Sequence, residues 1–197
     1  MAIATGIYAS LPGSAGPRRH IAALAQRASR KFDTRLAMAV ERINREIEPS
    51  APQMAKWEKL LCALANAERR KRGLPAMRTN AGLASMGRDH SVEMRQKKYF
   101  SHTSPTAALR TTSDRYLAEL GATPRLVAEN IYTLQARGPR RLTEADIRNC
   151  HSAWMKSPGH RANILRSSPV SPTRIGVGIA VRGGSFWATQ NFSTPMY

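Results

Sequence analysis

The sequence predicts an α+β fold: a small sheet covered by helices, behind a basic helical extension. Three observations carry this. Apolar residues recur at helical spacing through most of the chain; strand-like runs come late; a Gly-Gly pair separates the last two of them. The 197 residues, 42% of them hydrophobic, are enough for one domain with a core plus an appendage.

Residues 1–17 are rich in small residues, Gly and Pro, and are expected to be disordered. They also make a poor export signal, because no basic run precedes their apolar part and Pro and Gly interrupt it. Residues 18–48 predict a helix. Ile21, Leu24, Ala28, Phe32, Leu36, Val40, Ile43 and Ile47 recur along one narrow face, with arginines between them. A helix of this kind suits a membrane surface or nucleic acid, but an extension packed on its own domain is the first expectation. "EPSAPQ", residues 48–53, is a linker by composition. Residues 18–52 are thus a basic helical extension and linker, and 53–197 form one domain.

That domain opens with a helix over 53–72, with Trp57, Leu60, Leu61, Leu64 and Ala65 facing inward. "RRKRGLP" closes it: basic residues suit the last turn, Gly73 suits the position after it, and Pro75 blocks continuation. A second helix runs from Asn80, a suitable N-cap, to Lys98. "YFSHTSP" is a loop, and 106–120 reads as a helix closed by Gly121. "RLVAENIYTL", 125–134, reads as a strand. Thr143 and Asp146 have capping-box spacing and open a helix to Lys156. "RIGVGIAVRGGSFWATQNF" is a hairpin around its Gly-Gly turn. Trp154, Trp187 and Phe192 are expected in the core. Cys62 and Cys150 allow one disulfide at most, and two buried free thiols are the expected state.

The formal charge is +18, with 31 basic residues against 13 acidic. Anionic partners follow from that: a lipid surface or an envelope polymer. Nucleic acid is not favoured, since no stacking platform of interleaved aromatics and no recognition-helix pattern is present. No apolar run approaches the roughly 18 residues of a membrane-spanning helix.

Three side chains stand out for chemistry. His102 follows the aromatic pair Tyr99-Phe100, Glu129 sits inside an apolar strand, and His160 leaves the turn Ser157-Pro158-Gly159. A carboxylate in a strand core needs a cation, a hydrogen-bonding partner or a water-lined pocket. Two imidazoles and a carboxylate also form a reasonable ligand set for zinc or another divalent cation. Against that stands the plainer reading, histidines that only make structural hydrogen bonds. No HExxH, CxxC pair, GxSxG or phosphate-binding glycine loop is present. His90 and Glu93 read as helix-surface or packing residues, Asn130 and Asn163 as backbone hydrogen-bonders, and Arg161 as solvated.

The order of "LLCALANAERRKRGLPAM", "DHSVEMRQKKYFSHTSP", "AENIYTL", "WMKSPGHRANIL", "IGVGIAV" and "FWATQNF" resembles bacterial members of the CAP superfamily, the SCP-like branch of the cysteine-rich secretory, antigen 5 and pathogenesis-related proteins. The resemblance covers about residues 55–193. It implies a three-layer α-β-α sandwich with a small antiparallel sheet, an extracytoplasmic location and a cleft lined by two histidines and two acidic residues. His102, Glu129 and His160 match three of those positions, with Asn130 beside them. Ser157 stands where animal members place the fourth, acidic residue. The function this implies is a binding or effector module for a small-molecule, lipid or peptide ligand, with a divalent cation such as zinc. The alternatives are a metal- or histidine-dependent hydrolase and a cationic envelope- or nucleic-acid-binding protein.

Overall fold

The computed structural model describes residues 16–196; the side chains of 16–25 and 44–46 lie outside that description. The disorder expected of residues 1–17 therefore falls almost wholly outside the described residues. The chain divides into a first unit ending at Arg42 and a second spanning Ile43–Tyr197. Helix α1 runs over Gly16–Ile47, and within the first unit its Phe32, Leu36, Met38 and Val40 are exposed.

In the second unit, α2 spans Ala51–Arg70. Its start is set by Ser50, whose hydroxyl accepts the Gln53 N–H, and by Pro52 in the first turn, where no backbone donor is needed. Trp57, Leu61 and Ala65 recur on one face and are buried. A two-residue strand, β1 (Arg78–Thr79), leads into α3 (Ala81–Lys97), capped by the Asn80 side chain accepting the Leu83 N–H at 2.9 Å. Residues 106–120 are not one helix, as the sequence predicted. A single 3-10 turn covers Ala107–Leu109, and α4 restarts at Thr112–Leu120. The reciprocal Thr111–Asp114 cap begins that new helix, and the Arg115 guanidinium takes the Leu109 carbonyl.

Strand β2 spans Pro124–Leu134 and α5 spans Glu144–Lys156. A further helix, α6 (Pro158–Leu165), stands where the sequence reading had only a turn and an apolar run. Ser157 both ends α5 and caps α6, and Pro158 takes the first helical position. Strands β3 (Arg174–Arg182) and β4 (Ser185–Pro195) form the hairpin, turning through Gly183 and Gly184 at φ 59° and 85°. The sheet order is β1-β3-β4-β2. Both pairs involving β4 are antiparallel, whereas β1 adds a short parallel edge on β3.

Period-two alternation divides the sheet between two helical layers. Ile175, Val177, Ile179, Phe186, Ala188 and Phe192 pack with Trp57, Leu61, Ile147, Trp154 and Ile164 of α2, α5 and α6. On the other face Leu83, Met86 and Tyr116 of α3 and α4 cluster. The α3 backbone lies almost on β3: a Cβ on Gly178 would meet the Arg88 nitrogen at 1.9 Å, so only glycine fits there. Trp187 departs from expectation, being half-buried, because alternation turns it to the face opposite Phe186. Cys62 and Cys150 are free and buried, and burial pushes the Cys62 thiol up to about 12. Among the described residues no helix is long and apolar enough to cross a membrane. The α+β class, helices on a four-stranded sheet, is the one the sequence predicts.

Candidate functional site

The site is built on β2. Its Glu129 and Asn130 stand opposite Asn191 and Gln190 of β4 and are both buried. Because neighbouring residues of a strand face opposite ways, one strand serves two sides. Glu129 meets the α3–α4 side and Asn130 meets α6.

On the first side, Glu129 has two strong partners. One carboxylate oxygen accepts from Arg115 Nη2 at 2.7 Å, and the other lies 2.9 Å from His102 Nδ1. Arg115 comes from α4 and is itself buried; the same guanidinium donates to the carbonyls of Leu109 and His102. It therefore holds the carboxylate and the loop that carries His102 together. Behind them lies His90 of α3, only 1% exposed, its Nε2 3.1 Å from the Ser101 carbonyl and 3.9 Å from Glu129. His90 is thus a buried member of the cluster; of the surface and helix-packing roles the sequence allowed, burial excludes the surface one.

Burial alone would raise the Glu129 pKa. The hydrogen bond from His102 and the charge of Arg115 outweigh it and hold the carboxyl below its ordinary range. An ionised carboxylate only accepts, so the hydrogen between the two residues belongs to His102 Nδ1. That leaves His102 Nε2 free, on a side chain that is 52% exposed. Burial lowers the His90 pKa against the pull of Glu129.

On the other side, the Asn130 amide donates to the His160 carbonyl at 3.1 Å and to Gln190. Asn163 donates to the Glu129 carbonyl and to Asn130 Oδ1. These bonds pin α6 to β2 and bring its first turn beside the His102 loop. The His160 ring lies 6.4 Å from the His102 ring, centre to centre. Burial, and then the neighbouring His102, lower its pKa, so His160 is neutral at neutral pH. Ser157, half-buried, sits three positions before His160, and its hydroxyl makes no capping bond. Arg161 donates to the Met155 carbonyl.

Glu93 completes the rim. It accepts from Tyr99, Ser104, Thr106 and Lys97. Burial would raise its pKa, but those bonds hold it at about 2. Glu93 thereby ties α3 to the loop on which His102 stands.

Residues 63–192 match the model of the CAP, or cysteine-rich secretory protein, family. The chain belongs to that family. It is similar to the Bacillus subtilis protein YkwD, at 36% identity over 142 residues, and to the B. subtilis membrane protein YlbC, at 29% over 153 residues. The matched regions make up 72% and 74% of this chain but 49% and 39% of those relatives, so it spans half or less of their length. Among solved structures, an extracellular SCP-domain protein from Bacillus anthracis aligns at TM-score 0.60 and 27% identity, over 75% of this chain and 44% of that one. An outer surface protein from Borrelia burgdorferi aligns at TM-score 0.57 and 14% identity, over 70% of this chain and 92% of that one, a likeness of fold alone.

The resemblance implies a metal held by His102, Glu129 and His160, and the carboxylate of Glu129 decides whether they fit one. Both oxygens of Glu129 are engaged, one by Arg115 and one by His102 Nδ1. Among the described residues no group of three or more His, Cys, Asp or Glu is arranged to hold a metal ion. A three-ligand centre of His102, Glu129 and His160 does not fit. What remains is a pair of imidazoles with ring centres 6.4 Å apart, one of them oriented by a carboxylate.

Sequence reasoning missed Arg115 and undervalued His90. It did require a cation, a hydrogen-bonding partner or a water-lined pocket for a buried glutamate. Nothing in the chain marked which of 31 basic residues would be the partner, because the pairing spans two separate elements.

Proposed function

We propose that this CAP domain is a binding module whose cleft takes a small, lipid or peptide ligand between His102 and His160. The carrying observation is the fixed Glu129–His102 contact at 2.9 Å, which leaves one imidazole nitrogen facing the cleft beside a second, neutral imidazole. Two such nitrogens accept hydrogen bonds from a hydroxyl or amine, and they also suit a borderline cation such as zinc. Glu129 then acts as the group that orients His102 rather than as a ligand. Calorimetry with zinc and with candidate ligands, on the wild type and on His102→Ala/His160→Ala, tests this. Heats lost in the double variant support the site; identical titrations sink it.

A second reading is hydrolysis, favoured by the same contact: a carboxylate-oriented histidine is the base-and-orienter half of a catalytic triad. The candidate serines are not in place as nucleophiles. The Ser101 hydroxyl accepts from the Thr103 backbone, and no bond joins Ser157 to either histidine, so water would have to be the nucleophile. Turnover of a peptide library that vanishes in Glu129→Gln supports this reading, and no turnover with metal supplied rejects it. The B. anthracis neighbour, described as extracellular, supports a place outside the cytoplasm.

A further inference from the structure

Helix α1 carries a feature the cleft does not use. Phe32, Leu36 and Val40 are spaced four apart and stay 67%, 54% and 41% exposed. Residues at this spacing share one helical face, and an amphipathic helix in water normally buries such a stripe. Away from the stripe stand Arg27, Arg30, Lys31 and Arg35, all exposed; Asp33 is the one acid among residues 26–40. Helical rotation of 100° per residue places Arg35 about 60° beyond Phe32 and Arg30 about 80° beyond Val40, flanking the apolar face on its two sides, with Lys31 and Arg27 on the far side.

From this we infer that α1 docks in the plane of an anionic lipid bilayer, with Phe32, Leu36 and Val40 in the headgroup–acyl boundary. Three alternatives are weaker on physical grounds. A second copy of the helix would cover the stripe but bring together the like charges of Arg35 and Arg30 that flank it. Nucleic acid would match the charge but leave a phenylalanine, a leucine and a valine in water. A spanning helix is excluded by four basic residues within nine positions. An anionic bilayer meets both demands at once, apolar face inward and the flanking Arg35 and Arg30 towards lipid phosphates. The proposal is independent of the cleft.

The test uses the full chain and sedimentation with vesicles of phosphatidylcholine alone or of equimolar phosphatidylcholine and phosphatidylglycerol. The expected result is binding to the anionic vesicles and little to the neutral ones. Phe32→Ser/Leu36→Ser/Val40→Ser and Arg27→Gln/Arg30→Gln/Lys31→Gln/Arg35→Gln should each weaken it about tenfold or more. The serine triple should leave the zinc titration of the CAP unit unchanged, which separates this result from failure of the cleft reading. The thermal melt of each variant shows that the CAP unit still folds. Equal vesicle binding by the serine triple and the wild type overturns the proposal, since charge alone would then explain it. So does no vesicle binding at all, or a wild-type dimer in light scattering that the serine triple dissolves, or tighter binding to duplex DNA than to the anionic vesicles.

Discussion

Two buried glutamates of the CAP unit are built almost alike and do different things. Glu58 on α2 and Glu129 on β2 are each 6% exposed, and each meets an arginine at 2.7 Å. The difference is the remaining partners. Glu58 takes a two-pronged Arg88 and the Ile179 backbone N–H, so it ties α2 and α3 to the sheet and offers nothing outward. Glu129 takes a buried Arg115 and the ring of a half-exposed histidine. A buried carboxylate becomes a candidate functional group when its last partner is a titratable side chain that opens to solvent. When that partner is backbone, the same pairing is structural.

The largest test of this contrast is on the arginines. Arg115→Leu leaves Glu129 buried with its charge uncompensated and should cost about 3–5 kcal/mol in chemical denaturation. Arg88 is 48% exposed, so water reaches that pair, and Arg88→Leu should cost only about 1–2 kcal/mol. Adding Glu129→Leu to Arg115→Leu should recover much of the loss, because the stranded charge is gone. If the two arginine variants cost the same, the contrast fails.

Next in size is ligand chemistry. If Glu129 orients His102, then Glu129→Gln should weaken zinc binding in a titration by about 10–100-fold. Glu58→Gln should leave that titration unmoved. Equal effects would mean that the cleft responds only to general loss of stability.

A third test concerns acid. Glu93 has a folded pKa of about 2 against an ordinary value of 4.5. A depressed carboxyl contributes stability that is complete above the unfolded value and is lost as pH falls through the folded one. Stability should therefore drop between about pH 4.5 and 2, and Glu93→Gln should flatten that limb in melts taken across the range. An unchanged acid limb would count against the Glu93 cluster as the clamp on the His102 loop.

The smallest effect is expected at α6. Asn163→Ala removes the bonds to the Glu129 carbonyl and Asn130. It should cost about 1 kcal/mol in denaturant melts. It should also broaden the His160 ring signals in NMR while sparing those of His90. Sharp, unshifted His160 signals would show that α6 is held by packing alone.

How far the sequence reaches depends on the range of the interaction. Capping residues were legible because they act within a turn: Asn80 before α3, and Thr143 with Asp146 before α5. The hairpin was legible because two glycines can take positive φ where other residues are strained. The split of 106–120 was not, because a guanidinium from α4 takes the Leu109 carbonyl that a continuous helix would have used. Helix α6 was hidden by its own cap, since Ser-Pro-Gly reads as a turn until Pro158 is seen as the first residue of a helix. The stripe on α1 reads like that on α2, yet Leu36 is 54% exposed and Leu61 is 0%. Periodicity reports a face and says nothing about what covers it.

By itself, then, the sequence determined the α+β class, most helix starts, the hairpin, the cationic character and the residues His102, Glu129 and His160 as candidates. Each of these follows from short-range periodicity, local caps or residue chemistry. Only the tertiary structure decided that Glu129 is held by Arg115 and turned to His102, that His90 lies buried behind them, and that both carboxylate oxygens are already engaged. Those facts depend on which distant elements meet. A charge buried on one strand needs a partner, and the fold chooses which one.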